Sequence, residues 1–238
     1  MICFLTSRTD TPTGELDPAN HFVEEMRRCF PSPCRALDIC SNPDGWAGMD
    51  YYSGLIRTSF EDAGFQFESF RTLDSRNEEQ AAELVRDSNF IVLSGGHVPT
   101  QNAFFRKIGL RELMKDYDGI VVGISAGSMN SADVVYSHPE EEGEAVDPDY
   151  RRFLAGLNLT KVMLLPHYQD EKDVVLDGLR VYEDIAFPDS MGRTFYAIPD
   201  GSYLFIDSGR EELRGEAYMI RDGVLSRIAP EGGITRLN

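Results

Sequence analysis

Ser125 stands at the end of a β-branched run, with a glycine two residues away on either side: Ile120-Val121-Val122-Gly123-Ile124-Ser125-Ala126-Gly127-Ser128. G-x-S-x-G is the pattern of a nucleophile elbow, a tight strand-to-helix turn that lifts a serine hydroxyl off the carboxyl edge of a sheet. The glycines avoid clashes between strand and helix, and the N–H of Ala126 points where an oxyanion would develop. With 21 glycines in the chain, chance alone gives such a pattern on the order of once per ten chains. What gives it meaning is the context, with a buried strand before it and a small-residue helix start after it.

A serine nucleophile needs donors for its oxyanion, a base and an acid to orient that base. Ser94-Gly95-Gly96-His97 follows another apolar run, Phe90 to Leu93. Two glycines let backbone approach a substrate and leave the Gly96 N–H free as a second donor, with Thr100 able to cap the next helix. Gly95 and His97 would line the pocket there. Of four histidines, His21 falls on an early helix and His138 in an acidic loop. His167 ends the run Val162-Met163-Leu164-Leu165-Pro166, where a rigid strand end can bring it to Ser125; His97 is the fallback. Two acids compete to orient it. Asp200 lies in the turn Ile198-Pro199-Asp200-Gly201, and Glu140 lies in the loop after Ser125.

The elements that must hold these groups alternate. Strand-like runs at Ile2–Leu5, Ala36–Cys40, Phe65–Phe70, Phe90–Leu93 and Ile120–Ile124 are separated by helical patterns at 18–30, 49–63, 78–86 and 100–115. That order predicts an α/β fold, a single doubly wound, mainly parallel sheet with helices on both faces. The last third reads as short strands with tight turns, so some antiparallel strands are expected near the C-terminus, with one helix over 170–187 between them. One domain over residues 1–238 is expected. The acidic segment 137–149 follows the elbow helix and reads as a solvated loop or a lid.

Net charge is −17, from 40 acidic and 23 basic residues. Such a surface repels phosphate backbones, which argues against a nucleic-acid partner. No window approaches the roughly 18–20 apolar residues of a membrane span, and the start MICFLTSRTDTPTG has no signal-peptide pattern. A cytoplasmic protein without a membrane partner is expected. The cysteines (Cys3, Cys29, Cys34, Cys40) form no C-x-x-C pair and no zinc spacing, so no metal is expected; buried thiols are favoured over a disulfide.

The chain resembles the aspartyl dipeptidase (dipeptidase E) and cyanophycinase family of serine peptidases, whose fold is akin to class I glutamine amidotransferases. The resemblance spans roughly 90–205 and rests on four motifs in order. They are Leu93-Ser94-Gly95-Gly96-His97 for the oxyanion turn, Gly123-Ile124-Ser125-Ala126-Gly127-Ser128 for the nucleophile, Leu165-Pro166-His167-Tyr168 for the histidine and Ile198-Pro199-Asp200-Gly201 for the acid. The order Ser, His, Asp differs from the Ser, Asp, His of ordinary α/β-hydrolases. The resemblance implies peptide hydrolysis through an acyl-enzyme on Ser125, without a cofactor, on small peptides that include dipeptides beginning with Asp. It also makes Glu140 a candidate pocket residue. Departures are His97 and Val98, where the family often has glycine and asparagine, and Asp200, where the dipeptidases have glutamate. Reading an acidic substrate would need an arginine, with Arg106, Arg151, Arg152 and Arg193 as candidates. An esterase or amidase on a small acyl substrate, or a binding module without turnover, are the alternatives. Monomer and homodimer both fit the sequence.

Overall fold

The computed structural model describes residues 1–237. The first half alternates as its apolar pattern requires. Strands β1 (Ile2–Thr6), β2 (Arg35–Ile39), β3 (Ser69–Leu73), β4 (Phe90–Leu93) and β5 (Ile120–Ile124) are separated by helices α1 (Phe22–Cys29), α2 (Trp46–Asp62), α3 (Ala81–Asp87), α4 (Val98–Lys107) and α5 (Leu110–Leu113). After β5 come α6 (Ala126–Asn130), β6 (Val134–Tyr136), β7 (Phe153–Ala155), β8 (Met163–Leu165), α7 (Tyr168–Glu171), β9 (Val175–Leu176) and β10 (Leu179–Arg180). A π-helical turn at Val181–Ala186 leads into α8 (Phe187–Asp189). The chain closes with β11 (Thr194–Ala197), β12 (Tyr203–Asp207), β13 (Arg210–Arg214), β14 (Ala217–Arg221), β15 (Val224–Ala229) and β16 (Ile234–Leu237).

The central sheet has eight strands in the order β16-β13-β12-β1-β5-β4-β2-β3. The strands from β1 to β3 are parallel, while β12, β13 and β16 extend the β1 edge antiparallel. Side chains alternate across it as strand geometry demands. Cys3, Leu5, Ile91, Leu93 and Val121 face α3, α4 and α5, where they meet Leu84, Phe104 and Leu110. Phe4, Phe90, Val92 and Val122 face α1 and α2, where they meet Phe22, Met26 and Phe60. Helices therefore cover both faces of the parallel part, the doubly wound α/β arrangement the alternation predicts.

The C-terminal strands divide between two sheets. While β12, β13 and β16 join the central sheet, β8, β11, β14 and β15 build a separate four-stranded one, in the order β15-β14-β11-β8. Its β8–β11 pair is parallel and the others antiparallel. Short strands of similar composition carry no mark of which sheet they enter, which is why the sequence pattern merges them.

Two helices differ from expectation. The stretch 170–187 is not one helix, because Asp177 and Gly178 both take positive φ (52° and 83°) and turn β9 back on β10. Asp-Gly is the sequence such a two-residue hairpin turn favours. The helix expected over 100–115 starts earlier, at Val98, and breaks at Gly109, whose φ is 66°. Thr100 then lies inside the helix and not at its cap. Cys3, Cys34 and Cys40 are buried and Cys29 partly so, all as free thiols. No helix among the described residues is long and apolar enough to cross a membrane.

Candidate active site

Ser125 closes β5 in a backbone conformation that non-glycine residues rarely adopt, φ 49° and ψ −111°, and α6 starts at the next residue. Neighbours hold that turn. The Ser125 N–H donates to the Thr6 carbonyl (3.1 Å), and the Ser128 hydroxyl donates to the same oxygen (2.7 Å). Both glycines of the motif are sterically required. A β-carbon on Gly123 would lie 2.9 Å from the backbone of Ser128, and one on Gly127 would run into the Leu93 carbonyl at the end of β4.

His167 and Asp200 come from the smaller sheet. They follow β8 and β11, a parallel pair extended by bonds from Ile198 N–H to Leu165 O (2.9 Å) and from Tyr168 N–H to Ile198 O (3.2 Å). This register brings His167 Nδ1 within 2.7 Å of Asp200 Oδ1. With Nδ1–H donating to the carboxylate, Nε2 keeps its lone pair, as a general base requires. Burial pushes the Asp200 carboxyl up, but bonds from His167 and Ser7 outweigh it and leave it below the ordinary value. Asp200 N–H is itself held by Gln169 Oε1 at 3.0 Å.

Ser7, the residue after β1, is a site member that the motif reading misses. Its hydroxyl is fully buried, donates to Asp200 Oδ1 (2.7 Å) and accepts the backbone N–H of His167 (2.8 Å). The only signal in the sequence is its place at the end of the first strand, beside the strand that leads into Ser125.

The turn after β4 lies against the elbow. A β-carbon on Gly95 would meet Ser125 Cβ at 3.5 Å, and one on Gly96 (φ 151°) would collide with the Ser41 hydroxyl. No backbone carbonyl among the described residues takes up the Gly96 N–H. The turn is braced from below by Ser94 Oγ donating to Asp38 Oδ1 (2.7 Å) and by Gln101 Nε2 donating to Ser94 O (2.6 Å). His97 bonds Thr100 Oγ1 through Nδ1 (2.7 Å) and Glu144 Oε1 through Nε2 (2.9 Å). Glu144 also accepts the N–H groups of Glu140 and Glu141 (2.8 and 3.0 Å), so the acidic loop is fastened to the glycine turn.

Ser125 and His167 both line a cavity of about 790 Å³, together with Ser7, Gly95, Gly96 and His97. No direct hydrogen bond joins Ser125 Oγ to His167 among the described residues; such bonds often tighten only when substrate is bound. The same two residues line a second, smaller recess of about 180 Å³ that also holds Glu140. No hydrogen bond joins Glu140 to His167 among the described residues, and the acid bonded to His167 is Asp200. Arg8 is the one cationic side chain on the large cavity among the described residues, and it is paired twice with Asp10 at 3.2 Å. None of the four arginines suggested as readers of an acidic substrate lines either cavity. Arg152 pairs with Asp189, and Arg193 lies over the Phe153 ring. Two clusters have metal-ligand chemistry, His97 with Glu141 and Glu144, and His167 with Asp170 and Asp200. Each is already knit by its own histidine–carboxylate bond.

The chain matches the family model of peptidase family S51 over residues 45–213. Its fold is similar to the crystal structure of a protein from Listeria monocytogenes EGD-e that carries the designation peptidase E, with a TM-score of 0.56 at 16% identity, over 100% of this chain and 98% of that one. No curated protein sequence matches it. A family match over more than two thirds of the length, on a fold of this kind, identifies the chain as a serine peptidase of family S51.

Proposed function

We propose that the protein hydrolyses small peptides through an acyl-enzyme on Ser125, with His167 as base and Asp200 as its orienting acid. The observation that carries this reading is the 2.7 Å bond from His167 to Asp200, made by a histidine that shares its cavity with the strained Ser125. Ser125 Oγ attacks the scissile carbonyl carbon and its proton passes to His167 Nε2. The N–H groups of Gly96 and Ala126 stabilise the oxyanion. Collapse of the intermediate breaks the C–N bond, and His167 returns the proton to the departing amine. Water, deprotonated by His167, then attacks the acyl-enzyme carbonyl, and the proton goes back to Ser125 as the acid product leaves. Gly95 and His97 would shape the substrate wall.

An aspartyl preference has little electrostatic support. A substrate carboxylate in the large cavity would meet one arginine already paired with Asp10, with Glu141 also on the wall. The reading is therefore a small-peptide hydrolase whose selectivity is not acidic. A dipeptide library assayed with wild type and Ser125→Ala tests it. Turnover that disappears in the variant is expected, and labelling by a serine-directed fluorophosphonate that survives Ser125→Ala would overturn the assignment. A matched ester panel separates peptidase from esterase.

A further inference from the structure

The large cavity and the smaller recess meet at Ser125 and His167 and share no other lining residue. A substrate held across this pair therefore has a different wall on each side of its scissile bond. The recess, at about 180 Å³, has room for one residue-sized group. The large cavity, at about 790 Å³, extends from Ser125 past Gly95 and Gly96 to Ser41 after β2, and on to α2.

The α2 wall is apolar. Met49, Tyr52, Leu55 and Ile56 lie on one face of the helix and line the cavity, and no charged residue of α2 lines it with them. The core beneath is closed by Phe60 and Phe4, yet Tyr52 remains 56% exposed and Leu55 48%. Their apolar surface is thus available to whatever lies on Ser125, and covering it is favourable. The wall is also held in place. Trp46 Nε1 donates to Pro43 O (3.1 Å) and Ser75 Oγ (2.9 Å) at the start of α2, and the Ser53 hydroxyl bonds that of Thr72 on β3 (2.9 Å). The cavity's charged groups stand away from this stripe: Arg8 and Asp10 pair with each other, and Glu141 lies beside His97.

The two halves of a peptide make different demands on space. The leaving residue must depart while the other half stays bonded to Ser125, and water must then enter by the vacated path to reach His167. The large cavity offers both the way out and access to His167. We propose that the α2 stripe is the subsite for the leaving residue and selects a bulky apolar side chain there, aromatic or branched aliphatic. The proposal rests on the acyl-enzyme reading given above. Tyr52 and Leu55 are its specificity-determining side chains, because they have the most surface still to be covered; the Tyr52 ring also offers a face to an aromatic side chain.

Five dipeptides decide the matter: Ala-Gly, Ala-Leu, Ala-Phe, Leu-Gly and Phe-Gly. In wild type, Ala-Leu and Ala-Phe are expected to exceed Ala-Gly in kcat/KM by about tenfold or more, while Leu-Gly and Phe-Gly gain no comparable factor. Tyr52→Ser combined with Leu55→Ser is expected to bring Ala-Leu and Ala-Phe down toward Ala-Gly. Both positions are exposed, so these substitutions empty no core. Equal values for Ala-Gly, Ala-Leu and Ala-Phe in wild type would overturn the proposal without need of the variant. A gain confined to Leu-Gly and Phe-Gly would overturn it too, by placing the stripe on the acyl side, as would a preference that survives the double substitution. Labelling of Ser125 by a neutral fluorophosphonate separates the two levels of failure. Labelling with none of the five peptides cleaved, or with no leaving-side preference, sinks the subsite alone. Absence of labelling sinks the acyl-enzyme reading and the subsite with it.

Discussion

Ser7 donates its hydroxyl proton to the same Asp200 oxygen that receives the His167 bond, both at 2.7 Å. Its oxygen meanwhile accepts the backbone N–H of His167. One small side chain at the end of a central-sheet strand thus holds both Asp200 and His167, which come from the other sheet.

Ser7→Ala removes a donor from a carboxylate and orphans the His167 N–H. Bonds of this charged type are worth about 1.5–3 kcal/mol, so kcat is expected to fall at least tenfold with KM little changed. The Asp200 carboxyl loses a bond that holds its pKa down, so the acid limb of the kcat/KM profile should move to higher pH. An unchanged pH profile would reduce Ser7 to a packing residue.

Gly127→Ala tests the elbow's contact with β4. The added β-carbon meets the Leu93 carbonyl, which is backbone and cannot swing aside. Overpacking of this kind costs about 1–3 kcal/mol. The variant is expected to show a lower urea midpoint with unchanged m, and loss of fluorophosphonate labelling as Ser125 shifts.

Asp38 carries an acid in the middle of β2, bonded by Ser94, and burial pushes it up to about 6. An acid whose folded pKa exceeds its unfolded value binds more protons when folded. Stability is then lost as pH rises from about 4 to about 6. Asp38→Asn keeps the acceptor for Ser94 and removes the charge. It is expected to be more stable than wild type above pH 6, by up to about 3 kcal/mol, with the gain vanishing below pH 4. Thermal melts at pH 4, 5.5 and 7 check the sign.

Glu144→Ala cuts the tie between the acidic loop and His97 and frees the amides of Glu140 and Glu141. A Glu-specific endoprotease should then cleave near 140–144 at native pH, with Glu144→Gln intermediate. Burial alone would raise the Glu144 carboxyl, yet those amide bonds and His97 bring it below its ordinary value of 4.5. The tie in wild type is therefore fully present above that value and lost only as pH falls below it.

The parallel strands, the elbow and the placement of Ser125, His167 and Asp200 at strand ends were legible because each depends on local pattern. A β-branched run, a G-x-S-x-G turn and a strand ending in histidine announce themselves within a few residues. Ser7 and the His97–Glu144 bond were not, since each acts across a large sequence separation and neither has a special neighbour. Glu140 shows the difference. Its nearness to Ser125 in sequence made it a rival to Asp200, but the β8–β11 register gives His167 to Asp200 and leaves Glu140 in the recess. The arginine candidates failed for a related reason, because charge type does not reveal which way a side chain leaves the surface.

Ser125 follows a strand of one sheet, and His167 with Asp200 follow strands of another. A chain whose central sheet has formed but whose smaller sheet has not docked carries a serine with no partner to deprotonate it. Under the proposed mechanism, hydrolytic activity therefore needs both sheets formed and docked, and a chain with only its central sheet in place would not cut the peptides around it.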